Sequence, residues 1–294
     1  MKSPSALSAA LPCPTSGPTS LKEFTTLKTG GACSLFAEPG NSEEAAASLA
    51  LLRREQVPVR FLGGGSNLLI PDEGFDGCVV STGRMKTLRR DGERLWVGAG
   101  VSLPGLIHDA AEAGLSGLEG FVGIPGSVGG AVRMNSGGRY GEFWERVEEV
   151  EVSGPDGLVR AWARADARPS YRDGGLGDLL CLAAVLRLEQ GEPSKIRVKT
   201  ATVLAEKAAA QPLTERSAGC IFKNPKGRSA GRLVEEAGCK GWREGGAFVS
   251  EKHGNFLVNR GGATAAQVRR LIERVREAVE QSCGIRLDLE IVLW

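Results

Sequence analysis

At 294 residues, with 41% hydrophobic and 24% charged residues, the chain has the composition of a folded globular protein, long enough for two domains and too long to be a disulfide-held miniprotein. With 37 basic and 35 acidic residues the net charge is +2, which provides no field for nucleic acid or a membrane surface, so any anion must be met locally. Glycine is the outlier at 41 residues, about twice its usual share of roughly 7%, and points to tight turns and to loops where backbone approaches something closely.

Residues 1–20 carry a lysine near the start, but Ser and Pro break up the apolar residues before a secretory core can build, so this stretch reads as a disordered tail. No apolar run approaches the ~20 residues of a membrane span. Asn41 followed by Glu44 has the spacing of a capping box, and Ala45, Leu49 and Leu52 share one helical face, which predicts a helix over 42–55. Val57 to Leu62 reads as a strand, Gly63-Gly64-Gly65-Ser66-Asn67 as a turn, and Leu68 to Ile70 as extended chain again. Short runs at 78–81 and 95–98 precede a predicted helix over 103–113 that Gly114 ends. Strands are predicted over 147–152 and 181–188, the latter with Leu182, Ala184, Leu186 and Leu188 on one face. The polar stretch 189–194, with Pro193, is the expected domain boundary. Beyond it, Val268, Leu271, Ile272, Val275 and Val279 form an apolar stripe over 264–283, stopped by Gly284. In the closing run Leu287, Leu289, Ile291 and Leu293 alternate with Asp288, Glu290 and Val292, which places Glu290 on a strand face opposite the core. The pattern is α+β without regular βαβ repeats.

Two glycine-rich segments are candidates for chemistry. Gly63 to Asn67 follows an apolar strand, where successive glycines can leave amides converging on an anion such as phosphate; a tight turn explains the same residues. It is neither G-x-G-x-x-G nor a P-loop. The run from Gly120 through Gly123, Ile124, Pro125, Gly126, Ser127, Gly129, Gly130 and Ala131 to Asn135 interleaves glycine with apolar residues and is uncharged until Arg133. Such backbone can line a large flat ligand, or form a glycine-kinked buried strand. The cysteines at 13, 33, 78, 181, 220, 239 and 283 are odd in number and contain no C-x-x-C pair, and only His108 and His253 could assist them, so reduced thiols in a cytoplasmic protein are expected and no metal site is.

Thr26-Leu27-Lys28-Thr29-Gly30-Gly31, the Gly63 to Asn67 loop, Gly123 to Asn135 and Pro169-Ser170-Tyr171-Arg172 follow one another in this order. Ala218-Gly219-Cys220-Ile221-Phe222-Lys223-Asn224-Pro225, the block Lys240 to Phe256 and the run Leu287 to Ile291 come after them. As an ordered set these segments resemble the UDP-N-acetylenolpyruvoylglucosamine reductase family, over about Leu21 to Trp294. The resemblance implies an FAD-binding domain of the vanillyl-alcohol-oxidase (PCMH) type over 21–193, in one or two lobes, and an α+β substrate-binding domain over 194–294. It implies FAD held by Gly63, Gly64, Gly65, Ser66, Asn67 and Leu68 and by Gly123, Ile124, Pro125, Gly126, Ser127, Gly129, Gly130 and Ala131. NADPH is the implied co-substrate and a UDP-sugar enolpyruvyl ether of peptidoglycan precursor synthesis the implied substrate; the charge balance and the lack of a long apolar run speak against nucleic acid and membrane, and no protein partner is inferable from the sequence. The implied catalytic residues are Cys220 as proton donor, Arg172 and Glu290, with Lys223 and Asn224 binding substrate. Cysteine stands at 220 where the family more often has serine, and Asp173 follows Arg172 where many relatives have serine. The only tyrosines, Tyr140 and Tyr171, precede the carboxyl-terminal part, so the chain resembles the shorter branch, which lacks a tyrosine-bearing loop. His253, between two predicted strands, reads as structural or as lining the pocket. An oxygen-using sugar or alcohol oxidase of the same flavin fold would not require Cys220, Arg172 and Glu290 together. A non-catalytic flavin- or UDP-sugar-binding regulator would not turn over at all.

Overall fold

The computed structural model describes residues 4–294. The chain divides into two compact units that interleave in sequence. Unit 1 takes residues up to Thr19, Cys33–Gly64 and Asp76–Ala205, and unit 2 takes Ser20–Ala32, Gly65–Phe75 and Glu206–Trp294. The expected continuous halves, 21–193 and 194–294, are therefore corrected in two ways. Segments 20–32 and 65–75 belong with the carboxyl-terminal residues, and the last division falls inside a helix rather than in the polar stretch before it.

Unit 1 holds helices α1 (Pro4–Ala10), α2 (Ser42–Arg54), α3 (Leu103–Glu112), α4 (Val128–Arg133), α5 (Arg164–Ala167) and most of α6 (Pro193–Ala210). The expected disordered tail is instead ordered from residue 4: Leu7 and Leu11 are buried against Leu49, Leu52 and Val80. Two leucines four apart on one helical face explain the difference, since that pair finds a partner in the apolar stripe of α2. Residues 1–3 lie outside the described residues. One sheet contains Thr15–Ser16, Ala32–Ala37, Phe75–Ser81 and Val59–Leu62 in that order, with Val59–Leu62 parallel to Phe75–Ser81. A second, antiparallel sheet runs Val159–Ala163, Val147–Ser153, Leu180–Arg187, Arg94–Gly98, Leu88–Asp91. Its main core gathers Val97, Val150, Val152, Ala184 and Leu186 with Leu106 and Ile107 of α3, Val132 of α4, and Phe143 and Trp144.

The strand Leu180–Arg187 does not keep one face as the alternation suggested. Glu151 faces Ala183 while Val152 faces Cys181, so Leu182 is the extra residue of a bulge. The bulge turns Leu180 and Leu182 toward the cluster under α2 and leaves Ala184 and Leu186 in the main core.

Unit 2 has a four-stranded antiparallel sheet in the order Ser217–Cys220, Phe256–Asn259, Ala247–Val249, Arg243–Glu244, with helices α7 (Ala230–Glu236) and α8 (Ala265–Cys283). Val268, Leu271, Ile272, Val275 and Val279 of α8 are all buried, each contributing about 1.5–3 kcal/mol of apolar burial. Gly284 ends α8 at φ +67, in the left-handed region glycine enters without strain. The closing run is less regular than its alternation: Leu287 and Ile291 are buried, but only Val292–Leu293 form a strand, parallel to Leu68–Leu69, and Leu293 is exposed.

Candidate active site

In unit 1 the two glycine segments lie side by side. A Cβ at Gly64 would fall 2.5 Å from Cα of Gly126, and one at Gly63 would fall 2.7 Å from Oγ of Ser127. Gly123 and Gly126 have φ of +82 and +111, conformations that a side chain would strain. The second segment is anchored to unit 1 by Leu103 N–H to Gly126 O, Val128 N–H to Val101 O and Gly129 N–H to Ala99 O, and Ser127 caps α4 by accepting from Gly130 N–H. The result is close-packed main chain over the core, with no side chain at Gly63, Gly64, Gly126 or Gly130, while Gly129 is buried where a Cβ would fall 2.7 Å from that of Ala99. This surface suits a dinucleotide cofactor: a large, flat, anionic molecule can reach backbone without meeting a Cβ.

Arg172 also belongs to unit 1 and is positioned by a strained turn. It lies at φ +60, and the turn is closed by Ser170 N–H to Asp173 O at 2.8 Å and Asp173 N–H to Ser170 O at 3.1 Å. The guanidinium donates to Gly137 O at 2.9 Å, and its carbon sits 4.8 Å from the Tyr171 ring centre. Asp173 accepts from Gly175 N–H, so its carboxylate serves the turn. Beneath the turn is Asn135, 1% exposed, whose amide donates to Ser170 O and to the Glu142 carboxylate while its oxygen accepts from Trp144 N–H.

In unit 2, Cys220 ends the strand Ser217–Cys220, opposite Phe256, after a register shift that includes Gly219 at φ +74. The next residues run between two neighbours. Ile221 donates its N–H to Asn255 O and accepts from Glu290 N–H at 2.8 Å, while Lys223 N–H reaches Asp288 O. Cys220 and Glu290 are thereby brought onto adjoining segments of one unit. Asn67, expected to hold cofactor, donates its side-chain amide to Glu290 O at 3.0 Å, and Val292 N–H bonds to Asn67 O. Gly65, at φ +61, is buried against Phe24 and accepts from Thr26 N–H, and the Thr26 hydroxyl reaches Ser217 O at 2.6 Å. Asn224, expected to bind substrate, accepts through its side-chain oxygen from Ala230 N–H at the start of α7, and Lys223 is partly exposed beside it.

Among the cysteines, burial pushes the Cys78 and Cys181 thiols up to about 12 and also raises Cys13, Cys33 and Cys239. Such thiols stay protonated and inert, whereas Cys220 is partly exposed. His253 is half-buried. Burial lowers its pKa, with the Lys240 charge adding to the effect, and its Nδ1 accepts from Asn255 N–H. Asn135 closes the second glycine segment and Asn255 falls within the block Lys240 to Phe256, but the sequence assigns a role to neither. Asn255 is polar directly before Phe256-Leu257-Val258, and that contrast is the signal that points to it, whereas Asn135, between Arg133 and Ser136, carries no such contrast. Among the described residues there is no group of three or more His, Cys, Asp or Glu able to hold a metal ion, and no helix long and apolar enough to cross a membrane.

Comparison with known proteins matches residues 33–161 to an FAD binding domain and residues 211–294 to the UDP-N-acetylenolpyruvoylglucosamine reductase C-terminal domain. The UDP-N-acetylenolpyruvoylglucosamine reductase of Moorella thermoacetica is 44% identical over 93% of this chain and 91% of its own, and that of a Synechococcus species is 42% identical over 92% and 91%. The crystal structure of the Thermus caldophilus reductase superposes with a TM-score of 0.83 at 41% identity, covering 94% of this chain and 97% of that one. A Physcomitrella patens BBE-like protein, 18% identical with a TM-score of 0.51 over 64% of this chain and 45% of its own, shares the fold alone. The fold class expected from the sequence holds: an FAD-binding domain of the vanillyl-alcohol-oxidase type with a carboxyl-terminal α+β domain. With this identity running through nearly the whole length of its relatives, the chain belongs to the UDP-N-acetylenolpyruvoylglucosamine reductase family.

Proposed function

We propose that the protein is the FAD-dependent oxidoreductase that uses NADPH to reduce the enolpyruvyl ether of UDP-N-acetylglucosamine to UDP-N-acetylmuramate, in peptidoglycan precursor synthesis. The observation that carries this reading is the 44% identity to a named reductase over 93% of the chain. The cytoplasm, where the nucleotide sugar and NADPH are available, is its proposed location.

Bound FAD supplies two-electron redox chemistry between NADPH and the enolpyruvyl double bond. Its proposed holders in unit 1 are Gly63 and Gly64 together with Gly123, Ile124, Pro125, Gly126, Ser127, Gly129, Gly130 and Ala131, and the side-chain-free backbone at Gly63, Gly64, Gly126 and Gly130 supports such a group. Gly65, Ser66, Asn67 and Leu68 are retained as proposed contacts. The packing of Gly65 against Phe24 and the bond from Asn67 to Glu290 O assign those two residues at least a structural task as well.

Reduction at C3 of the ether leaves negative charge on C2 and on the adjoining carboxylate, and C2 must then receive a proton. Cys220 is the proposed donor: a thiol, with a usual pKa near 8.5, releases a proton more readily than an alcohol. Arg172 stays charged and can fork onto a carboxylate, so it is the proposed stabiliser of the charge that builds there. Glu290, held through its main chain to Ile221 and Asn67, is the proposed partner polarising the enolic form. Lys223 and Asn224 are proposed to meet the UDP-sugar, Asn224 through its NH2 end because its oxygen serves α7.

Anaerobic mixing of the FAD-loaded protein with NADPH tests the reading. The flavin band is expected to bleach and then to recover on addition of the enolpyruvyl substrate, with UDP-N-acetylmuramate as product. A bleached flavin that oxygen reoxidises but the enolpyruvyl substrate does not would overturn it.

A further inference from the structure

Asn255 does more in unit 2 than fill a buried position. It is 3% exposed, and its side-chain oxygen accepts from Phe222 N–H at 2.9 Å while its side-chain NH2 donates to Phe222 O at 2.7 Å. Its own carbonyl accepts from Ile221 N–H at 2.9 Å, and Ile221 O in turn accepts from Glu290 N–H. Every main-chain polar group of Ile221 and Phe222 is thus accounted for, three of the four by Asn255 and the fourth by Glu290. The side-chain amide imitates a neighbouring strand, donating and accepting at one residue. It does so beyond the end of the strand pairing between Ser217–Cys220 and Phe256–Asn259, where the ladder has already been disturbed by a register shift. Asn255 is itself fixed from behind, its N–H donating to Nδ1 of His253 at 3.2 Å.

From this chain of bonds we infer that Asn255 is a positioning residue for the reaction: it sets the backbone that immediately follows Cys220 and, through Ile221, the backbone of Glu290. The inference rests on the proposed roles of Cys220 and Glu290. The bonds Asn255 makes fall on the backbone between Cys220 and the residue that registers Glu290, so Asn255 acts on the proton-delivery step and not on the transfer of electrons from NADPH. A carboxamide is required, because only it offers one donor and one acceptor at the spacing of a peptide unit. Aspartate keeps the size and the acceptor but replaces the donor to Phe222 O with a second acceptor.

The experiment uses full-length, FAD-loaded protein as wild type, Asn255→Asp, Asn255→Ala and Cys220→Ala. It measures the rate of flavin reduction by NADPH, then kcat and KM for the enolpyruvyl substrate, and the solvent deuterium isotope effect on kcat. Both Asn255 variants are expected to reduce flavin at the wild-type rate while kcat falls roughly tenfold to a hundredfold, the range a misplaced catalytic group costs. The solvent isotope effect should rise as proton delivery becomes limiting. A residue that merely stabilised the fold would lower both half-reactions together and leave the isotope effect unchanged; that result, or wild-type kcat in either variant, overturns the inference. If Asn255→Ala yields no folded protein, Asn255→Asp decides by the same criteria. Should Cys220→Ala turn over at the wild-type rate, the proposed role of Cys220 fails; should Cys220→Ala be inactive while the Asn255 variants match wild type, only the positioning role fails.

Discussion

Glu290 donates its backbone N–H to the carbonyl oxygen of Ile221 at 2.8 Å, so the glutamate is registered against the residue directly after Cys220. A glutamate and a cysteine separated by seventy positions in sequence thereby sit on paired segments, which Lys223 N–H to Asp288 O also joins. Cys220→Ala is expected to leave NADPH reduction of the flavin intact and to lower substrate turnover by about 10²–10⁴-fold, the usual contribution of a general acid. Cys220→Ser should retain measurable turnover, because a hydroxyl can carry the same proton from the same backbone position. Stopped-flow absorbance separates the two half-reactions, and equal turnover of wild type and Cys220→Ala would remove the proton-donor role.

Gly64→Ala addresses the cofactor surface. The new Cβ would stand 2.5 Å from Cα of Gly126, which requires the two glycine loops to part. Loss of most flavin absorbance per mole of protein is expected, with the far-ultraviolet circular dichroism retained because the clash involves loop backbone rather than the sheets. Stoichiometric flavin in the variant would show that this approach of the loops is dispensable for holding the cofactor.

The strongest local patterns in the sequence translate directly into structure. Asn41 accepts from Glu44 N–H at the start of α2, and the stripe of α8 is buried from Val268 to Val279. These are short-range signals, in which the residues that matter lie within one or two turns of each other. The interleaving of the units was not legible, because it depends on pairs such as Thr26 with Ser217 and Asn259 with Leu27, whose bonds join residues about two hundred positions apart. The same holds for the site. Cysteine, arginine and glutamate announce themselves by type and motif, whereas the supporting Asn135 and Asn255 acquire meaning only from the backbone groups they meet.

His253 makes the stability of unit 2 depend on pH. Burial, with the Lys240 charge adding to it, holds the folded-state pKa below the unfolded value of about 6.5. The unfolded chain therefore binds the proton more readily, and the stability contributed above about pH 6.5 is lost as pH falls toward the folded pKa. Protonation at Nδ1 would also end the bond from Asn255 N–H. His253→Gln should melt at a lower temperature than wild type near pH 8 and show a smaller further drop on acidification to pH 5.5. Parallel pH dependences of the two proteins would remove His253 as the cause.

Thr29 is 2% exposed, and its hydroxyl has no hydrogen-bond partner among the described residues. A buried hydroxyl left unsatisfied costs on the order of 1–3 kcal/mol. Thr29→Val keeps the branched shape and removes the polar atom, so the melting temperature should rise by a few degrees, as a change of about 1 kcal/mol produces in a protein of this size class. A lower melting temperature for Thr29→Val would mean that the hydroxyl is satisfied in solution.

Asp72 tests how a segment distant in sequence is bound into unit 2. Its two carboxylate oxygens accept from Ala265 N–H at 2.8 Å and Ala266 N–H at 2.9 Å, at the first turn of α8. Thr264 and Gln267 form a capping box at the same end, so each serves a different orphan donor from those Asp72 serves. The negative charge also complements the helix dipole there. Removing the carboxylate leaves two amides unsatisfied, and Asp72→Ala is expected to destabilise unit 2 by about 1–2 kcal/mol, in the range of a lost helix cap. Asp72→Asn keeps one acceptor without the charge and should fall between the two. Hydrogen exchange of the α8 amides reads the effect locally: protection should drop first at Ala265 and Ala266 and extend along the helix. Unchanged exchange at α8 in Asp72→Ala would show that the capping box alone holds this helix end and that the 65–75 segment is tied to unit 2 by other contacts.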